Sequence, residues 1–131
     1  MARYHHIMIA TEHLPLDQRS LTWIKKLMMQ NQAKLSLLHT MPKYSQGAAY
    51  ALPSVEFIEK RQLKKAKESL RETAKSLGIT ESDLRLEVGN SARAILKAAK
   101  NERVDLLILN LKHHHHLKTI LRKASCDILG V

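Results

Sequence analysis

Continuous apolar runs alternate along the chain with stretches in which apolar residues recur every three or four positions. This alternation sets the expected order of elements. Tyr4-His5-His6-Ile7-Met8-Ile9-Ala10 carries an unbroken apolar block, as a strand buried on both faces of a mainly parallel sheet would. Thr11 to Pro15 reads as a turn, with Pro15 placed to open a helix. From Leu16 onward, Leu16, Trp23, Ile24, Leu27 and Met28 fall at helical spacing and define one core face. Trp23 is assigned to core packing rather than to ligand stacking. Ala33 to His39 predicts a second strand, and the polar, glycine-containing stretch 43–53 is expected to be the flexible loop. A long helix is predicted over 54–77, capped by Ser54. Its apolar stripe is Val55, Ile58, Leu63, Ala66, Leu70, Ala74 and Leu77, and Gly78 stands at the C-cap position.

The second half continues the alternation. Leu84-Arg85-Leu86-Glu87-Val88 alternates strictly, the pattern of a strand with one wet face, hence a sheet edge. Gly89 turns the chain into a helix capped by Asn90 or Ser91, with Ala92, Ile95, Leu96 and Ala99 toward the core. Residues 105–110 form another doubly buried strand, 117–123 a short helix of about two turns, and 126–131 a closing strand. The order βαβαβαβαβ implies one domain over residues 1–131 of α/β class: a three-layer, flavodoxin- or Rossmann-like sandwich around a parallel sheet with right-handed crossovers.

Composition adjusts this only slightly. Hydrophobic residues at 44% and charged residues at 26% are ordinary for a globular domain. No apolar run approaches the roughly 18 residues of a membrane span, and no leader sequence is read at the N-terminus. A single cysteine, Cys126, precludes an intramolecular disulfide framework and fits a reducing cytosol. The net charge of +10, from 22 Lys+Arg against 12 Asp+Glu, is compatible with a nucleic-acid or anionic-membrane partner but supplies only nonspecific attraction. The cations of the long helix, Lys60, Arg61, Lys64, Lys65, Lys67, Arg71 and Lys75, are tempered by Glu59, Glu68 and Glu72 and read as a solvated face.

The segments Y-H-H-I-M-I-A-T-E-H-L-P (4–15), Leu21-Thr22-Trp23-Ile24, A-K-L-S-L-L-H-T-M-P (33–42), Val88-Gly89 through Ala94-Ile95-Leu96, and Asp105-Leu106-Leu107-Ile108 occur in an order and spacing that resembles the universal stress protein family over nearly the whole chain. The resemblance implies a five-stranded sheet of order 3-2-1-4-5. The alternating third strand suits an edge and the apolar first and fourth strands suit the centre. It also implies a C2 homodimer through the last strand, with Ile128, Leu129 and Val131 at the contact, and a role in the stress response or its regulation in the cytoplasm.

Nucleotide-binding members of that family carry G-x-x-G-x(9)-G-[S/T] after the fourth strand. Glycines there allow backbone N–H groups to converge on phosphates. Here the corresponding stretch is Asn110-Leu111-Lys112-His113-His114-His115-His116-Leu117-Lys118, without a glycine, and Glu12 stands where the family has an aspartate after the first strand. No cofactor is therefore expected, and ATP is expected to bind weakly or not at all. Were a nucleotide to enter, Ala10, Thr11, Glu12 and His39 would line the base side, and Asn110, Lys112, His113 and Lys118 would face the phosphates. The histidine run suggests adventitious nickel or zinc affinity. If it became helical, only His113 and His116 would share a face, short of the three or four ligands zinc requires. Catalysis finds little support: Ser36, Ser91 and Ser125 lack a nucleophile elbow, Cys126 reads as an inert buried thiol, and His39 has no nucleophile placed beside it. The chain is expected not to be an enzyme.

Overall fold

The computed structural model describes residues 3–41, 55–110 and 116–131; of residues 55–58 it describes the backbone only. Five parallel strands, β1 (His6–Thr11), β2 (Lys34–Met41), β3 (Leu84–Val88), β4 (Leu106–Leu109) and β5 (Asp127–Gly130), form one sheet of order β3-β2-β1-β4-β5. Between them run α1 (Gln18–Asn31), α2 (Val55–Leu77), α3 (Ser91–Asn101) and α4 (Leu117–Lys123). A 3₁₀ turn at Glu81–Asp83, which no sequence pattern announced, leads into β3. The expected fold class and strand order are both observed.

The continuous apolar block of β1 is buried at all six positions. Because successive side chains of a strand point to opposite faces, it serves two cores. Ile7 and Ile9 pack with Ile24 of α1 and Leu70 and Leu77 of α2; Met8 and Ala10 pack with Ile95 and Ala99 of α3 and Ile120 of α4. α1 and α2 thus cover one face of the sheet and α3 and α4 the other. β3 alternates half-buried and exposed residues from Leu84 to Glu87 and pairs only with β2, as its pattern required, while Val88 at its end is exposed.

The boundaries reveal local chemistry. α1 opens at Gln18 rather than beside Pro15, because the Asp17 carboxylate accepts the Ser20 N–H at 2.7 Å and caps the first turn. Its buried positions are Ser20, Ile24 and Asn31, with Leu27 packed beside them. Trp23 lies off that line and is 49% exposed, so the assignment of Trp23 to the core is corrected. Its ring instead carries the Lys26 ammonium 5.6 Å from its centroid. Gly78 ends α2 in the left-handed region at φ +70°, with the Ile79 N–H returning to the Ala74 carbonyl at 2.9 Å. Asn90, rather than Ser91, caps α3 through its side-chain oxygen and the Arg93 N–H, 3.0 Å apart. The Ser54 cap, the loop 43–53 and the side chains of Val55 and Ile58 fall outside the described residues or atoms.

At the N-terminal end of the sheet, buried Asn31 ties the entry of β1 to α1. Its side-chain oxygen accepts the N–H groups of Arg3 and Tyr4, both at 3.1 Å, and its amide donates to the Leu27 carbonyl at 2.8 Å. Asp105 performs the same service toward β4, accepting from the N–H groups of His5 and His6 at 2.7 and 2.9 Å.

Candidate functional site

In an open α/β sheet the strand ends leave a crevice at their C-terminal side, where the connecting loops diverge. In this chain the C-terminal ends of β1 and β2, the turn after β3 and the start of α4 enclose a cleft of about 360 Å³ lined by Glu12, His13, Thr40, Met41, Gly89, Asn90, Ser91 and His116. Each wall has an identifiable origin. The Thr11 hydroxyl donates to the His13 carbonyl at 2.8 Å and accepts the His13 N–H at 3.1 Å, folding the chain back after β1. Gly89, at φ +124°, donates its N–H to the Met41 carbonyl at 2.9 Å, extending the β2–β3 pairing by one bond before the chain turns into α3. The Thr40 and Ser91 hydroxyls meet at 2.9 Å, both nearly inaccessible to solvent. They join the floor of the cleft to the first turn of α3.

His39 holds the two central strands together at this end. Its Nδ1 lies 3.1 Å from the Thr11 carbonyl, and a carbonyl only accepts, so Nδ1 carries the proton. Burial pushes the imidazole pKa below its ordinary value, against the opposing effect of that hydrogen bond. His39 is therefore a neutral tether between β1 and β2.

The candidate nucleotide residues separate on this frame. Glu12 lines the cleft. Ala10 and Thr11 are fully buried and His39 nearly so; they stand behind the wall. Asn110 lines a different depression, and Lys118 is exposed on α4. Lys112 and His113 lie outside the described residues. Of the two histidines considered for metal, His116 lines the cleft at the N-cap of α4, and no group of three or more metal-ligating side chains occurs among the described residues. His13, Thr40, Met41 and Asn90 were not singled out from sequence as lining residues. Their only signal was position, immediately after or at the end of a strand. Cys126 is half-buried, and burial with the neighbouring Asp127 charge raises its pKa, away from the thiolate a nucleophile requires.

A second depression, of about 640 Å³, runs along the opposite edge of the sheet between α1 and β5, where Trp23 and Leu27 face Leu129, Gly130 and Val131. β5 pairs with β4 on one side; among the described residues nothing pairs with its other side.

A doubly wound parallel sheet of order 3-2-1-4-5 with a polar crevice at its carboxyl edge defines a flavodoxin-like α/β protein. Within that class, residues 3–130 match the model of the universal stress protein family, and the chain belongs to that family. Among solved structures, the universal stress protein UspA from Lactobacillus plantarum is 19% identical, with a TM-score of 0.77 over 100% of this chain and 99% of that one. A universal stress protein in complex with cAMP is 18% identical, with a TM-score of 0.60 over 98% and 96% of the two chains. The universal stress protein from Archaeoglobus fulgidus in complex with dAMP is 11% identical, with a TM-score of 0.64 over 97% of each. At these identities the likeness is one of fold. No curated protein sequence matches the chain significantly. None of the helices among the described residues is long and apolar enough to cross a membrane.

Proposed function

We propose that this universal stress protein acts in the cytoplasm as a non-enzymatic, homodimeric stress-response or regulatory protein that does not depend on bound ATP. The observation that carries this reading is the connection between β4 and α4. β4 ends at Leu109 and α4 begins at Leu117. The intervening residues 110–116 contain no glycine, so no position there is free of a Cβ and able to adopt positive φ without strain. A triphosphate cradle is made from such positions, because converging backbone N–H groups need a chain that can fold tightly beneath the phosphates. The side chains first considered for catalysis are occupied or remote among the described residues. Ser91 is engaged with Thr40, the nearby imidazole of His39 is engaged with backbone, and the Cys126 thiol is held protonated away from the cleft.

Isothermal titration with Mg-ATP tests the reading. No saturable heat at micromolar ligand is expected; saturable micromolar binding that disappears in Lys112→Ala would overturn it. A second reading, a nucleotide-binding protein with an altered phosphate loop, draws support from the two solved relatives described with cAMP and dAMP, which carry one phosphate rather than three. Titration of AMP and cAMP separates the readings: binding of a monophosphate, weakened by Glu12→Ala, favours the second.

A further inference from the structure

α3 and α4 pack against each other on one face of the sheet and share one core cluster. Their outer surfaces therefore form a continuous layer. α3 (SARAILKAAKN) contributes Arg93, Lys97 and Lys100, and α4 (LKTILRK) contributes Lys118, Arg122 and Lys123; all six are exposed. Neither helix contains a carboxylate. None of the ion pairs among the described residues involves any of the six. Of the acids nearest along the chain, Glu102 is turned to Arg85 at 2.9 Å and Asp127 to Arg3 at 4.0 Å, while Glu87 and Glu102 border the face in a shallow depression they share with Lys97.

This arrangement works against the helices that carry it. Arg93 and Lys97, and Lys118 and Arg122, are like charges four residues apart, which destabilises a helix. Arg93 and Lys118 also stand in the first turns of their helices, where the macrodipole disfavours a cation. Only Lys100, Arg122 and Lys123 occupy the favourable last turns. α2 behaves differently: its seven cations are interleaved with Glu59, Glu68 and Glu72, as on an ordinary solvated face.

We infer that the α3–α4 face is a docking surface for the phosphate backbone of a nucleic-acid duplex. The partner is polyanionic because six exposed cations, none of them in an ion pair among the described residues, share one face with carboxylates only at its border beside Lys97. Arg93, Lys97 and Lys100 extend over about 10 Å of helix, which matches about three successive phosphates of one strand. Neither helix carries an aromatic residue on which unpaired bases could stack, which selects a duplex over a single strand. Contacts of this kind read charge and spacing, so binding is independent of base sequence.

Fluorescence anisotropy with labelled random-sequence DNA and RNA duplexes tests the surface, the two arms identifying which duplex the protein prefers. The wild-type protein is expected to bind at about 50 mM salt, with log K falling against log[salt] at a slope approaching about −5 if all six cations engage. Arg93→Glu/Lys97→Glu/Arg122→Glu should weaken binding by at least about tenfold and flatten the slope by about three units. The α2 variant Lys60→Glu/Lys64→Glu/Lys67→Glu changes net charge equally and should weaken binding far less. The neutral set Arg93→Gln/Lys97→Gln/Arg122→Gln, with circular dichroism on every variant, keeps the test valid should charge reversal disturb folding; it should also weaken binding. No duplex binding at low salt, equal losses from the α2 and α3–α4 variants, or tighter binding to single strands or phosphatidylserine vesicles would each overturn the proposal.

Discussion

Asn31 shows how one polar residue can organise a chain entry that apolar packing alone leaves open. It is buried at the end of α1, accepts two backbone N–H groups from the approach to β1 and donates one bond to its own helix. Removing it leaves two part-buried donors without their acceptor, which costs about 1 kcal/mol. Asn31→Ala should accordingly lower the urea midpoint without changing the fold, and Asn31→Asp, which keeps the acceptor, should recover part of the loss. His39 makes a pH-dependent prediction. Its folded pKa lies below the ordinary value because of burial. Between the unfolded value of about 6.5 and the lower folded value, the unfolded chain therefore binds more protons. Stability is fully present above about 6.5 and falls as pH drops through the window below it. Urea melts from neutral to acidic pH should show this loss, and His39→Gln should reduce its steepness. Neither residue was legible from the sequence in this role, since no pattern singles out Asn31 and His39 stands as the last residue of an apolar strand. Burial and partners come from elements distant along the chain, Arg3 and Tyr4 for one and Thr11 for the other.

At the scale of elements the sequence was far more informative, because strand and helix periodicities are local. The strict alternation of Leu84 to Val88 placed β3 at an edge, and the unbroken apolar blocks of β1 and β4 placed them inside. What periodicity alone could not settle was phase. In α1 the buried line passes through Ser20, Ile24 and Asn31, two of them polar, so a stripe drawn only through apolar residues took in Trp23 wrongly. Pro15 misled in the same way: it is a permissive residue for a helix start, but the Asp17 cap fixes where α1 begins. Gly78 is a case where the signal was sufficient. Its φ of +70° is strained for any residue with a Cβ, yet a Cβ placed there would meet nothing within 4 Å. Gly78→Ala should therefore cost about 1 kcal/mol from backbone conformation alone. The loss should appear as a lower thermal midpoint with an unchanged circular dichroism spectrum.

Among the described residues the sheet has two open edges, β3 and β5, and they are protected unequally. β3 exposes the charged Arg85 and Glu87 on the α3 side of its edge, and charges on an edge strand discourage further pairing. β5 is short, offers Ile128 and Leu129 half-buried, and is flanked by the groove containing Trp23. A second copy pairing with β5 about a two-fold axis would continue the sheet and cover that groove, satisfying the open strand and the exposed indole together. Trp23 is the sole tryptophan of the chain and is 49% exposed, so intrinsic fluorescence reports this groove without interference. If β5 is the dimer contact, the emission maximum should shift to the blue as protein concentration rises, in step with the mass measured by sedimentation. Leu129→Arg places a cation where the partner strand would sit and should hold the protein monomeric with red-shifted emission at all concentrations. A dimer whose mass is unaffected by Leu129→Arg, or whose formation leaves the emission of Trp23 unchanged, would place the contact elsewhere on the surface.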